Sequence, residues 1–302
     1  MKDFILNTPV AFIIFNRPDT TAAVFEKIRE AKPEKLYLIS DAPRDGREDD
    51  AEKVKQTRAY IEEHVDWDCQ VYKNYAETNM GCRDRVASGI SWVFSKEEQA
   101  IILEDDVVPA KEFFPYCQAM LEHYKDNERV MMVSGTNLMK NHKMETPYAF
   151  SCYSSIWGWA TWKRAWEKYD IDVADWPKIK KEGTFRKVQN GLAYLFLVRN
   201  INSVYTKKKD TWDIQWDYCR YKHRGLGIVP RENLICNIGF DREDATHTTE
   251  GTTEDFSYGK MEFPISFVVP VKRDAAYDKA YIKKYFGVRK VRDFVKKKIS
   301  KK

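Results

Sequence analysis

The sequence predicts an α/β fold, with a mostly parallel sheet flanked by helices, and three observations predict it. Strand-like and helix-like segments alternate four times before residue 106, the pattern of consecutive βαβ units. The strand-like segments are short, β-branched and almost wholly apolar, as strands buried on both faces are. Polar and charged residues then cluster directly after those segments, where open α/β sheets hold their ligands.

The elements follow in order. Residues 9–15 (PVAFIIF) form a first buried strand. Pro18-Asp19-Thr20 supplies turn and capping chemistry before a helix marked by Val24, Phe25, Ile28 and Ala31. Lys35–Ser40 (KLYLIS) is a second strand that ends at Asp41. A polar stretch leads into an amphipathic helix with Val54 and Ile61. Cys69-Gln70-Val71-Tyr72 is a short third strand, and Gly81 precedes a helix with Val86, Ile90, Val93 and Phe94 at helical spacing. Ala100–Leu103 is a fourth strand running into Glu104-Asp105-Asp106.

The second half is less regular and richer in tryptophan. Residues 113–124 read as a helix and Val130–Ser134 as a strand. Trp157-Gly158-Trp159 reads as a loop, residues 184–199 and 211–222 as helices, and 227–229 and 234–236 as closing strands. No repeat or low-complexity linker interrupts the chain. One catalytic domain is therefore expected over 1–275, with a ligand-binding half to about residue 135, a second half to 275 and a basic helical tail over 276–302.

The 302 residues are 43% hydrophobic and 32% charged, which excludes a disordered chain. No apolar run is long enough to span a membrane. The first residues lead almost at once into a strand-like segment, leaving no room for a signal peptide. Six widely spaced cysteines form no CxxC pair and read as reduced thiols of a cytoplasmic protein. The net charge of +5 is uneven, because Lys279–Lys302 holds eleven Lys or Arg against one acid, Asp293. The body is thus acidic, which argues against nucleic acid as a partner. In the tail, Val288, Val291, Val295 and Ile299 follow helical spacing among lysines. That pattern suits either a helix lying on an anionic membrane surface through 288–302, peripheral on the inner face of the cell membrane, or a solvated basic extension.

Four groups carry candidate chemistry. Three carboxylates at a strand end, Glu104, Asp105 and Asp106, repel one another unless a cation joins them, and oxygen-only ligands suit Mg2+ or Mn2+. In an extended chain Glu104 and Asp106 share a side and Asp105 points away. Asn16 and Arg17 end the first strand, where an Arg fork suits phosphate, and Asp41 falls on the same edge. Asn79, Arg83 and Arg85 surround the start of the third helix, whose N-terminus favours a phosphate. Asp213 and Asp217 share one face of a helix while Trp212, Trp216 and Cys219 share another. Either acid is a candidate general base, though by its position alone Asp213 reads first as a helix N-terminal capping acid. Trp157 and Trp159, flanking a glycine, are candidates for sugar stacking, whereas Trp162 and Trp166 read as core. His247, in a polar loop, is a candidate phosphate or metal contact. No GxGxxG follows the first strand and no GxxxxGK[ST] occurs, so the usual dinucleotide and P-loop readings lose their support.

Taken together, these pieces resemble the GT-A glycosyltransferases, in particular the inverting N-acetylglucosaminyltransferase I type and its bacterial relatives. The resemblance spans about residues 8–250. It rests on PVAFIIFNRP, on NMGCRDRVASGISWVF leading to AIILEDDVVP, on SSIWGWATWKRAW, and on TWDIQWDY followed by GIVPRENLICNIGF. It implies a Rossmann-like GT-A fold and a metal-dependent, inverting transfer of a sugar from a nucleoside-diphosphate sugar, a UDP-sugar above all. The acceptor would be a hydroxyl of a glycan or lipid-linked saccharide. It further implies that Asp106 is the direct ligand of Mn2+ or Mg2+, and that Glu104 and Asp105 contact the nucleotide or donor sugar. Arg17 and Asp41 would bind the nucleotide, Asp213 would be the base, and Trp157 and Trp159 would line the acceptor side. The chain departs from the family where consecutive acids after the tryptophan become Asp213-Ile214-Gln215-Trp216-Asp217, which leaves Asp217 as the other candidate base. Two alternatives stand beside this reading. One is a sugar-nucleotide pyrophosphorylase-like nucleotidyltransferase, whose glycine-rich signature is replaced here by Asn16-Arg17-Pro18. The other is a carbohydrate-binding protein that keeps the fold without catalysis.

Overall fold

The computed structural model describes residues 4–187, 191–240 and 257–286. Its centre is an eight-stranded sheet of order β3-β2-β1-β4-β8-β6-β9-β7. Four strands, β1 (Val10–Ile14), β2 (Lys35–Ser40), β3 (Gln70–Tyr75) and β4 (Gln99–Glu104), are mutually parallel. Helices α1 (Pro18–Ala31), α2 (Glu48–His64) and α3 (Gly81–Phe94) connect them. All four strands therefore end on one edge, at Ile14, Ser40, Tyr75 and Glu104.

These strands are apolar on both sides because helices cover both sides. Phe12, Ile14, Leu36, Leu38, Ile101 and Leu103 join a core that includes Val24, Phe25 and Ile28 of α1. The alternate residues Ala11, Ile13, Tyr37, Ile39, Ala100 and Ile102 pack with Val86, Ile90 and Val93 of α3. The two-residue alternation of an extended chain thus sorts one apolar run into two cores.

Beyond β4 the sheet is mixed. β8 (Trp159–Trp162) runs antiparallel to both β4 and β6 (Val130–Ser134). β9 (Leu226–Pro230) is parallel to β6, and β7 (Tyr148–Ser151) is antiparallel to β9. The sheet is continuous through residue 135, with β8 joining the two sides. The expected loop at Trp157-Gly158-Trp159 instead ends in the strand β8. Gly158 turns the chain there with φ +60°, and a Cβ at this position would lie 2.2 Å from the Ile235 side chain. β7 and β8 are four residues each and lie among aromatic residues with no alternation of their own, so they were not foreseen despite Pro147 and Gly158 before them.

Further elements complete the body: α4 (Phe113–His123), α5 (Lys163–Trp166), α6 (Trp176–Glu182), a 3-10 turn at Thr184–Lys187, α7 (Gly191–Tyr205) and α8 (Asp213–Lys222). A small antiparallel ladder pairs β5 (Val107–Pro109) with β10 (Ile235–Asn237). The last described helix, α9 (Ala275–Phe286), packs against β7 and α7. Its Tyr277 and Asp278 are buried, and Asp278 accepts hydrogen bonds from Ser151 and Arg273. The first part of the expected basic tail is therefore a docked helix, and residues 288–302 lie outside the described residues. No described helix is long and apolar enough to cross a membrane, and all six cysteines are free.

Candidate active site

A cleft of about 570 Å3 opens on the edge where β1, β2 and β4 end. Asn16, Arg17, Asp41, Asn79, Glu104, Asp105, Asp106, Trp157 and Asp213 all line it. The fold thus brings together most residues singled out above, from the ends of β1, β2 and β4, the turn before β8, the start of α3 and the start of α8. His247 lies outside the described residues.

The acid cluster sits where β4 gives way to β5. The chain makes a tight turn at Asp105 and Asp106, so the alternation expected of an extended segment is lost. Both aspartates meet the same cation: Arg17 Nη1 is 3.1 Å from Asp106 Oδ2 and 3.7 Å from Asp105 Oδ1. The Phe15 N–H donates to Asp105 Oδ2 at 3.3 Å, which ties the turn to the end of β1. From the other side, the Ile238 N–H donates to the Asp106 carbonyl at 2.8 Å. Gly239 follows because a Cβ there would stand 2.4 Å from Asp106 Oδ2. Burial, and then the charges of Asp106, Asp105 and Asp213, push the Glu104 carboxyl well above the usual carboxylate range, with Arg17 opposing.

This donor set fits a hard divalent cation. It offers oxygen alone, and after burial the neighbouring carboxylates Asp106, Asp105 and Asp213 add to the upward push on the Glu104 carboxyl. Among the described residues no three His, Cys, Asp or Glu side chains converge to cage an ion unaided. An ion here would be held by one or two carboxylates and completed by ligand oxygens.

The start of α3 does not present an empty anion site. Asp41 accepts hydrogen bonds from the N–H groups of Ala42 (2.8 Å), Met80 (2.9 Å) and Gly81 (2.9 Å). Asp210 accepts from the Arg83 N–H at 3.1 Å. The protein's own carboxylates thus satisfy the N–H groups that were expected to favour phosphate. Asn79 Nδ2 donates to the Ala42 carbonyl at 2.6 Å. Asn16 Nδ2 donates at 2.7 Å to Asp50, which is also held by the Arg44 guanidinium.

Two expectations are corrected. Arg83 does not line the cleft: its guanidinium pairs with Asp84 and Asp172, both at 2.6 Å, and reaches the Ile171 carbonyl. Trp159 is 0% exposed and stacks on Trp212 at 5.7 Å within a core that includes Trp166 and Trp216. It has no surface with which to meet an acceptor. Two-residue alternation would put Trp157 and Trp159 on one side, but the turn at Gly158, with φ +60°, sends Trp159 inward while Trp157 lines the cleft and packs edge-on against Phe240 at 5.6 Å.

α8 separates its two acids. Trp212, Trp216 and Cys219 face the core, as the spacing requires. Asp213 is the first residue of the helix, accepts from the Thr211 hydroxyl and lines the cleft. Asp217, one turn on, does not line the cleft and is held by the fully buried Arg220 at 2.5 Å.

Two lining residues drew no attention in the sequence, and a third, Arg85, was named only for its place near the start of the third helix. Asp210 and Asn237 had no periodic signal, because loop and ladder geometry alone brings them to the rim. Arg85 did have one: it lies on the buried stripe of α3 with Gly89 and Val93, an unusual place for an arginine.

No family model matches the chain, and no curated protein matches it in sequence. Solved structures with a similar arrangement include a mannosyltransferase from Pyrobaculum calidifontis in complex with GDP-Man and Mn2+, at 15% identity and a TM-score of 0.40. That likeness covers 56% of this chain and 49% of the mannosyltransferase, so the chain spans about half of that enzyme's length. Another is a 4-diphosphocytidyl-2C-methyl-D-erythritol synthase from Anaerococcus prevotii, at 12% identity and a TM-score of 0.33, over 54% of this chain and 74% of that one. A third is a UDP-glucose pyrophosphorylase complexed with UDP-glucose, at 10% identity and a TM-score of 0.30, over 54% of this chain and 78% of that one.

Proposed function

We propose that the chain is a glycosyltransferase that moves a sugar from a nucleoside-diphosphate sugar to a hydroxyl of a saccharide acceptor, with inversion at the anomeric carbon. One observation carries this reading: the acid turn at the end of β4 and Asp213 at the start of α8 line the same cleft. A transferase needs both an anion-holding end for the leaving diphosphate and a separate carboxylate for the incoming hydroxyl.

Asp106, with Asp105 or Glu104 beside it, would hold Mn2+ or Mg2+, whose charge would stabilise the leaving diphosphate. The chain's own residues do the rest. Arg17, fixed between Asp105 and Asp106, offers its fork to phosphate oxygens at the end of β1. Asp213 takes the proton of the acceptor hydroxyl while that oxygen bonds to the anomeric carbon. The bond from that carbon to the diphosphate oxygen breaks, and the nucleoside diphosphate leaves with the electron pair. Trp157 offers an indole face to the acceptor ring, and holding the two reactants together supplies much of the rate. Asp213 is the preferred base over Asp217, because Asp217 lies outside the cleft lining and is engaged by Arg220.

Product analysis tests this. Incubation with UDP-sugars and GDP-sugars, Mn2+ and a panel of oligosaccharides is expected to release nucleoside diphosphate, and to release little from Asp213→Asn. Release of pyrophosphate from a sugar phosphate and nucleoside triphosphate would instead identify a nucleotidyltransferase.

A further inference from the structure

At the β3 end of the cleft sits a cation with no carboxylate bound to it. Arg85 lines the cleft and is only 4% exposed. Its Nη2 donates to the Asn74 carbonyl at 2.5 Å and to Asn74 Oδ1 at 3.0 Å, both neutral acceptors. Its Nε is buried without a partner, and its Nη1 makes no hydrogen bond to any described residue. Asp41, whose charge acts on Arg85, has its oxygens turned to the N–H groups of Ala42, Met80 and Gly81. Arg58, close enough to repel Arg85, donates to Ser40 Oγ and to the Asp41 carbonyl. Burial pulls the Arg85 guanidinium below its ordinary value, which records the lack of compensation. Guanidinium groups are rarely buried unless their donors are satisfied, and an unsatisfied one is costly.

We infer that Arg85 selects the nucleobase of the donor, donating a hydrogen bond to a ring carbonyl oxygen, and so favours bases with an oxo group over those with an amino group at that position. The inference rests on the nucleotide-sugar reading above and adds to it the class of base. Position supports a base here and a diphosphate elsewhere. From β3, whose Asn74 Arg85 touches, to β4 is three strand steps, roughly 14 Å at the usual spacing. The acid turn and Arg17 occupy the far end, so the charged part of a nucleotide belongs there and its base belongs at Arg85. Uracil and guanine carry a carbonyl oxygen where cytosine and adenine carry an amino group. An amino group would point its hydrogens at a fixed guanidinium and leave both donors unpaired. Sites built around one hydrogen bond discriminate strongly for that reason.

Calorimetric titration of the full chain with UDP, GDP, CDP, ADP and pyrophosphate in Mn2+ tests this, using the unaltered protein, Arg85→Met and Arg85→Lys. The unaltered protein is expected to bind UDP or GDP about ten-fold or more tightly than CDP and ADP, each base-specific hydrogen bond being worth that much or more. In Arg85→Met the ratio should collapse to within about two-fold, while pyrophosphate affinity follows it by less than that. Arg85→Lys, which keeps the charge without the planar fork, should recover only part of the ratio. Each ratio is taken within one preparation, so a destabilised variant does not distort it. If Arg85→Met does not fold, the ratio in the unaltered protein and in Arg85→Lys decides. Equal binding of the four nucleotides, or a ratio unchanged in Arg85→Met and Arg85→Lys, overturns the inference. A parallel loss of nucleotide and pyrophosphate affinity assigns Arg85 to phosphate and overturns it as well. Binding of none of them by folded protein sinks the nucleotide-sugar reading itself, and this inference with it.

Discussion

The parallel side of the sheet and the mixed side contribute to the cleft in different ways. On the parallel side, Arg17 after β1 pairs with Asp106 after β4, the Phe15 N–H donates to Asp105, and Asp41 after β2 accepts from the N–H groups of Ala42, Met80 and Gly81. On the mixed side, Trp159, Trp212 and Trp216 form a buried aromatic block, and Asp213 rides on it at the start of α8. One side therefore builds a fixed charge pattern, and the other places a single carboxylate by packing. The lesson is that a site can depend on core packing on one side and on hydrogen bonding on the other.

The largest expected effect tests the chemistry of the mixed side. Asp213→Asn should lower transfer by about 100-fold to 10,000-fold, the range for a lost general base. Its thermal midpoint should move little, and Asp217→Asn should cost far less activity. Steady-state kinetics on both variants checks this, and the reverse order would move the base to Asp217.

Next comes the aromatic block. Trp216 is 0% exposed, so Trp216→Ala should destabilise the fold by about 3–5 kcal/mol in chemical denaturation. If the block is what positions α8, activity of the folded fraction should fall too. Retained activity per folded molecule would detach Asp213 from the packing.

The two tryptophans flanking Gly158 offer a closer comparison. Trp159→Ala should behave like Trp216→Ala, whereas Trp157→Ala should lose under about half of that stability, because its ring is only partly buried. Trp157→Ala should instead raise the KM for the acceptor. Equal stability losses would contradict the placement of Trp157 in the cleft wall.

The smallest effect is on the parallel side and is read by pH. The Arg44 hydrogen bonds, then Asn16, hold the buried Asp50 carboxyl at about 2. Because the folded-state value lies below the unfolded one, the contribution is full above about pH 4 and is lost as pH falls toward 2. Arg44 is exposed to solvent at 42%, so screening leaves roughly 1 kcal/mol. Asp50→Asn should flatten the acid limb of the stability curve by that amount.

Much of the parallel side was legible in the sequence. β2 and β6 have the expected bounds, and β1, β4 and α3 lie within a residue or so of theirs. Local signals suffice there, since a buried parallel strand announces itself as a short β-branched run and its helix as a periodic stripe. Trp159 was misread because a glycine with tryptophans on both sides looks the same whether it makes an open loop or starts a strand. Arg83 and Arg85 are two residues apart, and only the direction of α3 against the sheet turned one to Asp172 and the other to the cleft.

The sequence by itself determined the strands β1 to β4 and β6, that carboxylates follow β2 and end β4, and that the tryptophans of α8 face inward. Each of these depends on a repeat of two or about 3.6 residues, and such repeats are local. Only the tertiary structure decided that Asp105 and Asp106 share Arg17, that Asp41 and Asp210 satisfy the start of α3, and that Asp213 rather than Asp217 enters the cleft. Those pairings join groups 39 to 127 residues apart or depend on which helical turn faces the opening. They follow from sheet order, above all from β8 lying between β4 and β6. Long-range packing fixes that order, and no local period records it.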